Sequence, residues 1–178
     1  LFLKKIGILD KIEFDLEEVG TPLPISWGKC KLATSSFGHG ITTTILQLAK
    51  GYSIISNGGY EIKPTLIKTN NLNLNRKRIL SKKISEDINL ALRKIVTSKI
   101  GTANLADVPG FSIGGKTGTA QKSINGVYSN KKINTFVGVF PVYKPKFVLA
   151  VMLDEPKLNK DYIYEYRDGT GFKLKGTP

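Results

Sequence analysis

The last third of the chain constrains the fold most, because the hydrophobic pattern of that part has the periodicity of β-strands. Residues 111–121 are predicted to form a strand, and residues 133–140 and 147–153 are two runs rich in β-branched and aromatic side chains. An Asn-Gly pair at residues 125–126 predicts a turn after the strand, and a hairpin-length loop at residues 141–146 separates the two runs. The sequence therefore predicts three successive strands of an antiparallel sheet.

The preceding part of the chain predicts two amphipathic helices. The first has Thr42 or Thr43 as its expected N-cap and ends at the Asn-Gly-Gly stop of residues 57–59. The second runs from about residue 85 to residue 97, with Ser85 as its expected cap. Helices followed by consecutive strands indicate the α+β class, with an antiparallel sheet packed against helices.

The remaining segments give weaker patterns. Residues 60–67 alternate enough to predict a strand, which Pro64 would confine to a sheet edge, and a polar loop is expected from residue 69 to 78. Residues 1–30 are expected to be irregular, with Trp27 anchoring a loop, and the tail after Asp154 shows no clear pattern. We expect residues 1–178 to be a portion of one domain, cut at its N-terminal side and also at its C-terminal end.

Composition excludes several classes of function. The net charge of +13 invites a nucleic-acid interpretation, but lysine supplies nearly all of the positive charge and is spread along the chain, whereas base recognition favours arginine. Cys30 and His39 are the single members of their types, so neither a disulfide nor a zinc site is expected, and no thiol-enzyme motif surrounds them. We therefore predict no nucleic-acid partner, no metal and no cofactor.

Residues 114–121, with the sequence Gly-Gly-Lys-Thr-Gly-Thr-Ala-Gln, form the segment with the clearest chemistry. On a strand, Lys116 and Gly118 would share one face while Thr117, Thr119 and Gln121 share the other. An edge strand of this kind could pair its backbone with a peptide-like substrate. The lysine offers a positive charge, the threonines offer hydroxyl donors for a carboxylate, and the glycine permits close approach of another backbone.

This segment matches the K-T-G strand of the serine penicillin-recognising enzymes. The resemblance extends to Ser-Phe-Gly-His-Gly at residues 36–40, Leu-Gln-Leu-Ala at 46–49, Asn-Gly-Gly at 57–59 and Gly-Thr-Ala at 101–103, all in family order. Val-Pro-Gly at 108–110, Phe-Val-Gly at 136–138 and Asp-Glu-Pro at 154–156 complete the pattern, so that the likeness covers about residues 27 to 157. The chain most resembles class B penicillin-binding proteins of the division type.

The resemblance implies a D,D-transpeptidase that cross-links peptidoglycan stem peptides through a serine acyl-enzyme and binds β-lactams at that serine. It implies roles for Lys116 in the acid-base network, for Thr117 and Thr119 in carboxylate binding, and for the Thr119 N–H in an oxyanion hole. Gly118 would allow the substrate to approach, and Gln121 would lie at the edge of the cleft. The family fold has a five-stranded antiparallel sheet between helices, and membrane proteins of the division complex are its expected partners. Its place would be the periplasmic face of the inner membrane.

Two family motifs are not matched in a suitable place. The nucleophile motif S-x-x-K is satisfied by residues 26–29, but these follow a Pro-x-Pro turn, contain a glycine and lie too close to the K-T-G strand. Residues 129–132 also satisfy S-x-x-K, and residues 123–125 satisfy S-x-N, but both come after K-T-G, in the wrong order. The nucleophile and the S-x-N element are therefore expected upstream of Leu1, and His39 is expected to be a surface or supporting residue.

Three other functions compete with the transpeptidase interpretation. A β-lactamase or penicillin sensor would share the K-T-G strand, although the Leu-Gln-Leu-Ala and Asn-Gly-Gly block favours cross-linking enzymes. A catalytically inactive penicillin-binding scaffold of the division complex would share the whole pattern. A basic nucleic-acid module would have to rest on the net charge of +13.

Overall fold

The computed structural model describes residues 2–16, 20, 22–23, 28, 30–68, 76–124, 127–157, 163–165 and 171–173. Its helices are α1 (Phe2–Lys5), α2 (Lys31–Ser35), α3 (Ile45–Ser56) and α4 (Lys82–Thr97), followed by a 3-10 helix at Asn104–Ala106. Its strands are β1 (Gly114–Ile124), β2 (Val127–Phe140), β3 (Phe147–Asp154), β4 (Ile163–Glu165) and β5 (Gly171–Lys173). Within these described ranges, no helix combines the length and apolar character needed to cross a membrane.

Helix α3 begins one or two residues later than the sequence predicted, because Thr44 rather than Thr42 or Thr43 is the N-cap. The Thr44 hydroxyl accepts a hydrogen bond from the Gln47 backbone N–H at 3.1 Å, and the Gln47 side chain accepts one from the Thr44 N–H at 2.7 Å. This reciprocal capping box satisfies two donors that the helix start leaves open. The predicted stop is confirmed, since α3 ends at Ser56 with Asn57 as its C-cap.

A small apolar core forms between the N-terminal segment and α3. Ile6, Ile8 and Ile54 are buried together. The fully buried Gln47 ties the two parts, because its side-chain amide donates to the Asp10 carbonyl at 2.7 Å. The prediction that residues 1–30 are irregular is wrong at α1, where Phe2–Lys5 forms one short helical turn. Trp27, the expected anchor of a loop, lies outside the described residues.

Helix α4 starts three residues before the predicted position, and its N-cap is Ser81, whose hydroxyl accepts from the Ile84 N–H at 3.2 Å. Ser85, the expected cap, is instead buried within the helix. Its hydroxyl donates to the Ile55 carbonyl at 2.6 Å and accepts from the Gly58 N–H at 3.0 Å, which joins α4 to the end of α3. Because both partners satisfy the Ser85 hydroxyl inside the protein, a serine can occupy a helical position that faces the core.

The strand predicted at residues 60–67 is not formed. Only Tyr60 makes a β-bridge, to Arg78, and residues 61–65 have no regular structure. Pro64 has no N–H to donate to a ladder, and the Asp15 carboxylate accepts from the Leu66 N–H at 2.5 Å, which stabilises a bend instead. Most of the loop predicted after it, at residues 69–75, lies outside the described part of the chain.

The three predicted strands form one sheet in the order β1-β2-β3. Two residues separate β1 from β2, a connection that only an antiparallel pair permits. Strand β1 begins at Gly114 rather than residue 111, and β2 begins at Val127, well before the predicted residue 133. The turn residues 125–126 themselves lie outside the described part. The expected antiparallel α+β fold is confirmed.

The chain divides into two compact units. The first comprises Leu1–Thr117 and Phe136–Val151, and the second comprises Gly118–Thr135 and Met152–Pro178. The second unit contains an antiparallel pair that the sequence analysis missed, in which β4 and β5 place Tyr164 opposite Phe172. These strands are only three residues long, too short to leave a recognisable alternation in the sequence.

Candidate active-site strand

The start of β1 is packed too tightly for side chains. A Cβ at Gly114 would lie 2.7 Å from a methyl of Val142 and 3.1 Å from the Cβ of Leu92 in α4, and one at Gly115 would lie 2.6 Å from the ring of Phe136. Both glycines are buried. They therefore let the strand pass closely between α4 and its neighbours before Lys116 becomes exposed.

Lys116 and Thr117 are brought together with a third residue, Thr102. The Lys116 ammonium donates to the Thr117 carbonyl at 2.8 Å and lies 3.4 Å from the Thr117 hydroxyl and 3.5 Å from the Thr102 hydroxyl. The Thr117 hydroxyl donates to the Thr102 hydroxyl at 3.1 Å. These three side chains form a cluster of one positive charge and two hydroxyls in the first unit, which we call the Lys116 cluster.

The Lys116 cluster differs from the prediction in one respect. Neighbouring residues of a strand direct their side chains to opposite faces, so Lys116 and Thr117 were expected to be apart. The four-carbon stem of the lysine allows its ammonium to return to the Thr117 oxygens. Thr102 was missed as a site residue, although the Gly-Thr-Ala sequence at residues 101–103 was already noted as a landmark.

The other predicted site residues lie on the part of β1 that belongs to the second unit. Thr119 and Gln121 are exposed on the strand, where their side chains are accessible to a ligand. A Cβ at Gly118 would lie 2.6 Å from the hydroxyl of Thr135 in β2. Gly118 is thus required by the neighbouring strand, a structural reason that exists independently of any substrate.

The motif match that begins at Ser129, downstream of K-T-G, has structural partners. The Ser129 hydroxyl donates to the Lys122 carbonyl at 3.1 Å and accepts from the Lys131 N–H at 3.2 Å, both within the second unit. Ser26 and Lys29 lie outside the described residues. Cys30 is exposed, and the ring of His39 lies 5.1 Å from that of Phe37. Across the described residues, no three His, Cys, Asp or Glu side chains are grouped as metal ligands.

Comparison with known proteins places these features in a family. The family model "Penicillin binding protein transpeptidase domain" matches residues 2–169. The probable peptidoglycan D,D-transpeptidase PenA of Neisseria flavescens is 36% identical over 137 residues, which are 76% of this chain and 34% of that protein.

Two solved structures are also similar. The apo transpeptidase domain of penicillin-binding protein 3 from Burkholderia pseudomallei has a TM-score of 0.79 and 30% identity, covering 87% of this chain and 48% of that one. Penicillin-binding protein 3 of Mycobacterium tuberculosis, solved with aztreonam, has a TM-score of 0.80 and 28% identity over 87% of this chain and 39% of that one. This chain therefore spans about half, or less, of the relatives that it matches. It belongs to the penicillin-binding protein transpeptidase family, among the class B members.

Proposed function

We propose that this chain supplies the K-T-G wall of a peptidoglycan D,D-transpeptidase, and that sequence preceding it supplies the serine nucleophile and the S-x-N element. The observation that carries the proposal is the Lys116 cluster, in which Lys116 and Thr117 lie on a strand whose Gly-Lys-Thr-Gly-Thr-Ala-Gln sequence matches the family. The substrate would be a stem peptide ending in D-Ala-D-Ala, and β-lactams would acylate the same serine.

Each residue of the strand has a role in this proposal. The Lys116 ammonium supplies a positive charge beside the acid-base centre, where it favours an ionised neighbour and a developing negative charge. The hydroxyls of Thr117 and Thr119 donate to the terminal carboxylate of the substrate, and Gln121 borders the cleft. The backbone N–H of Thr119 would stabilise the oxyanion of the tetrahedral intermediate.

The cellular setting follows from the same proposal. Stem peptides are cross-linked outside the cytoplasmic membrane, so the domain would work on the periplasmic face of the inner membrane. Its partners would be membrane proteins of the division complex. An inactive scaffold with the same fold would keep such partners while losing the chemistry.

The test is acylation by a fluorescent penicillin. The complete transpeptidase domain that contains this chain should form a stoichiometric covalent adduct, and Lys116→Ala should slow its formation without a large change in melting temperature. This chain alone should form no adduct, since its Ser26 is not the nucleophile. Failure of the complete domain to acylate would favour the inactive scaffold, and an adduct on Ser26 would contradict our assignment of the nucleophile.

A further inference from the structure

Arg93 in α4 donates two hydrogen bonds from one nitrogen. Its Nη1 lies 3.0 Å from Oδ1 of Asp107 and 2.8 Å from the carbonyl oxygen of Ile113. A guanidinium Nη carries two hydrogens and can serve both acceptors at once. The Arg93 side chain is only 20% exposed, so these bonds are better protected from competing water than an ion pair at the surface.

The two acceptors of Arg93 stand at the two ends of an otherwise exposed segment. Asp107 directly follows the 3-10 helix Asn104–Ala106, and Ile113 directly precedes β1. Residues 108–111 between them are exposed. One arginine thus fastens both the end of the 3-10 region and the beginning of the K-T-G strand to α4.

Thr102 lies at the other end of the 3-10 region. A Cβ at Gly101 would lie 1.9 Å from the carbonyl oxygen of Ile95 in α4, so the chain passes against the helix there, and Ala103 is buried. The backbone before Thr102 is held at the end of α4, where the Gly101 N–H donates to the Ser98 carbonyl at 2.9 Å. At its far end the segment is held by the hydrogen bond that Arg93 donates to Asp107.

We propose that Arg93 is a positioning residue, which sets the distance between Thr102 and the Lys116–Thr117 pair. Its two bonds fix the segments that carry the two sides of the Lys116 cluster: the Asp107 bond fixes the Thr102 side, and the Ile113 bond fixes the β1 side. Loss of Arg93 would let these segments separate and leave the Lys116 ammonium and the Thr117 hydroxyl without the Thr102 hydroxyl. The effect on chemistry rests on the proposed transpeptidase function.

The competing explanation is that Arg93 only stabilises the fold. A double-mutant cycle with Thr102 separates the two, because residues that act through one another give non-additive effects. The variants are Arg93→Met, Thr102→Val and their combination in the complete domain, with Arg93→Lys to restore the charge. Arg78→Met is the control, since Arg78 also donates a side-chain hydrogen bond, to the Tyr60 hydroxyl, but does not contact this site.

We expect Arg93→Met to slow acylation by a fluorescent penicillin by about tenfold or more, the scale of a displaced catalytic geometry. Thr102→Val should slow it too, the double variant should be no slower than the slower single one, and Arg93→Lys should recover part of the rate. Arg78→Met should acylate at the rate of the unaltered domain. Multiplicative losses in the double variant, or an unchanged rate in Arg93→Met, would overturn the positioning role.

Amide hydrogen exchange gives a readout that does not need activity. Arg93→Met should raise exchange at residues 102–107 while leaving α3 unchanged, and unaltered exchange there would refute the inference even in an inactive protein. If Arg93→Met does not fold, Asp107→Ala replaces it, because that change removes one acceptor from a more exposed position. An unaltered domain that folds but does not acylate would refute the proposed function alone, and exchange would then decide on Arg93.

Discussion

At the scale of single residues, the contacts of Lys116 show how its charge is held. An ammonium has three donors, and only the bond to the Thr117 carbonyl, at 2.8 Å, has a short distance; the contacts to the two hydroxyls measure 3.4 and 3.5 Å. Two donors are therefore only weakly satisfied within the cluster. They remain able to bind a serine hydroxyl or a carboxylate brought to the strand.

Thr119 offers a specific test of carboxylate binding. Thr119→Val keeps the branched shape and the backbone N–H but removes the hydroxyl. Because Thr119 is exposed on β1, we expect little change in melting temperature. Recognition of the substrate carboxylate should weaken by about 1–3 kcal/mol, the scale of a hydrogen bond to a charged group. The measurement is the acylation rate of the complete domain with a fluorescent penicillin, and a parental rate would contradict the assignment of Thr119.

Gly58 and Gly59 form a matched pair for a test of backbone constraint. Both have left-handed backbones, with φ of 91° and 84°. A Cβ at Gly58 would lie 3.6 Å from the ring of Tyr60, whereas one at Gly59 would lie 2.2 Å from the carbonyl oxygen of Leu80. Gly58→Ala should therefore lower the free energy of unfolding by about 1–2 kcal/mol, the cost of placing an alanine in a left-handed conformation. Gly59→Ala should lower it by clearly more. Denaturant unfolding of both variants measures the difference, and equal losses would contradict it.

Sequence reasoning identified Lys116 and Thr117 but missed the residues that surround them. A motif on one strand is visible as adjacent letters in the sequence. Thr102, by contrast, lies 14 positions from Lys116 in the sequence, and Arg93 lies 20 positions from Ile113 at the start of β1. No sequence pattern singled out Arg93. Its bonds to Asp107 and Ile113 depend on the path of the chain after α4, which no local pattern encodes.

At the scale of elements, the errors at the helix starts have a common origin. Three successive threonines precede α3, and each is an acceptable cap by residue type. Gln47 decides among them, because only Thr44 lies three residues before it and can form the capping box. For α4, Ser81 and Ser85 were both suitable, and burial of Ser85 against the end of α3 decided between them. The capping box of α3 is a local pattern that decides among the three threonines, whereas the contact of Ser85 is tertiary and local propensity does not encode it.

A group of charges joins the ends of the strands in the second unit. The Lys122 ammonium lies 2.8 Å from Asp154 and 2.9 Å from Glu155, and Glu155 also pairs with Lys131 at 3.1 Å. Hydrogen bonds from Lys122, and then from Lys131, lower the pKa of Glu155. The bonds to Asp154 and Glu155 raise the pKa of Lys122.

These shifts predict how stability depends on pH. A lowered carboxyl pKa stabilises the fold above its unfolded value of 4.5, and this contribution is lost as pH falls through the folded pKa. A raised lysine pKa stabilises below its unfolded value of 10.5, and this is lost as pH rises through the folded pKa. Lys122→Met should lower the melting temperature most between these limits.

The expected measurement is a series of melting temperatures against pH for the unaltered domain and for Lys122→Met, in which the difference shrinks below pH 4.5. Lys146→Met, a change of an exposed lysine in the loop before β3, serves as control and should show a smaller effect. Because the paired groups are partly exposed, added salt should also reduce the difference. A difference that stays constant across the acidic range would show that the ion pairs do not contribute.

At the scale of the whole molecule, the comparisons with known proteins agree with the family that the sequence motifs predicted. The expected family is confirmed by the family model over residues 2–169, and the likeness to peptidoglycan D,D-transpeptidases such as PenA confirms the class B assignment. The order of the landmarks from Ser-Phe-Gly-His-Gly to Asp-Glu-Pro carried that prediction, because several short motifs in a fixed order are far less probable by chance than one. What the order of motifs could not give is the close packing of Gly114 and Gly115 or the strands β4 and β5.

Strand β3, which lies at one edge of the three-stranded sheet, exposes a row of apolar side chains. In the first unit, Phe147, Leu149 and Val151 alternate along β3 and are 58%, 50% and 43% exposed. An apolar row of this kind on a strand favours association or a covering element. The chain covers 48% of the Burkholderia pseudomallei transpeptidase domain, so under our proposal the remainder of the domain is available to cover it.

We therefore expect this chain alone to be poorly stable, with a broad thermal transition and a tendency to associate, whereas the complete domain should melt sharply. Association should decrease in a variant that combines Leu149→Thr and Val151→Thr, since both side chains point outward on a strand and threonine keeps a β-branched shape there. Matched changes at the buried Val137 and Val139 should instead destabilise the chain without reducing association. Differential scanning calorimetry with sedimentation measures both properties. A sharp, cooperative transition of a monomer would show that this part of the domain needs no covering element.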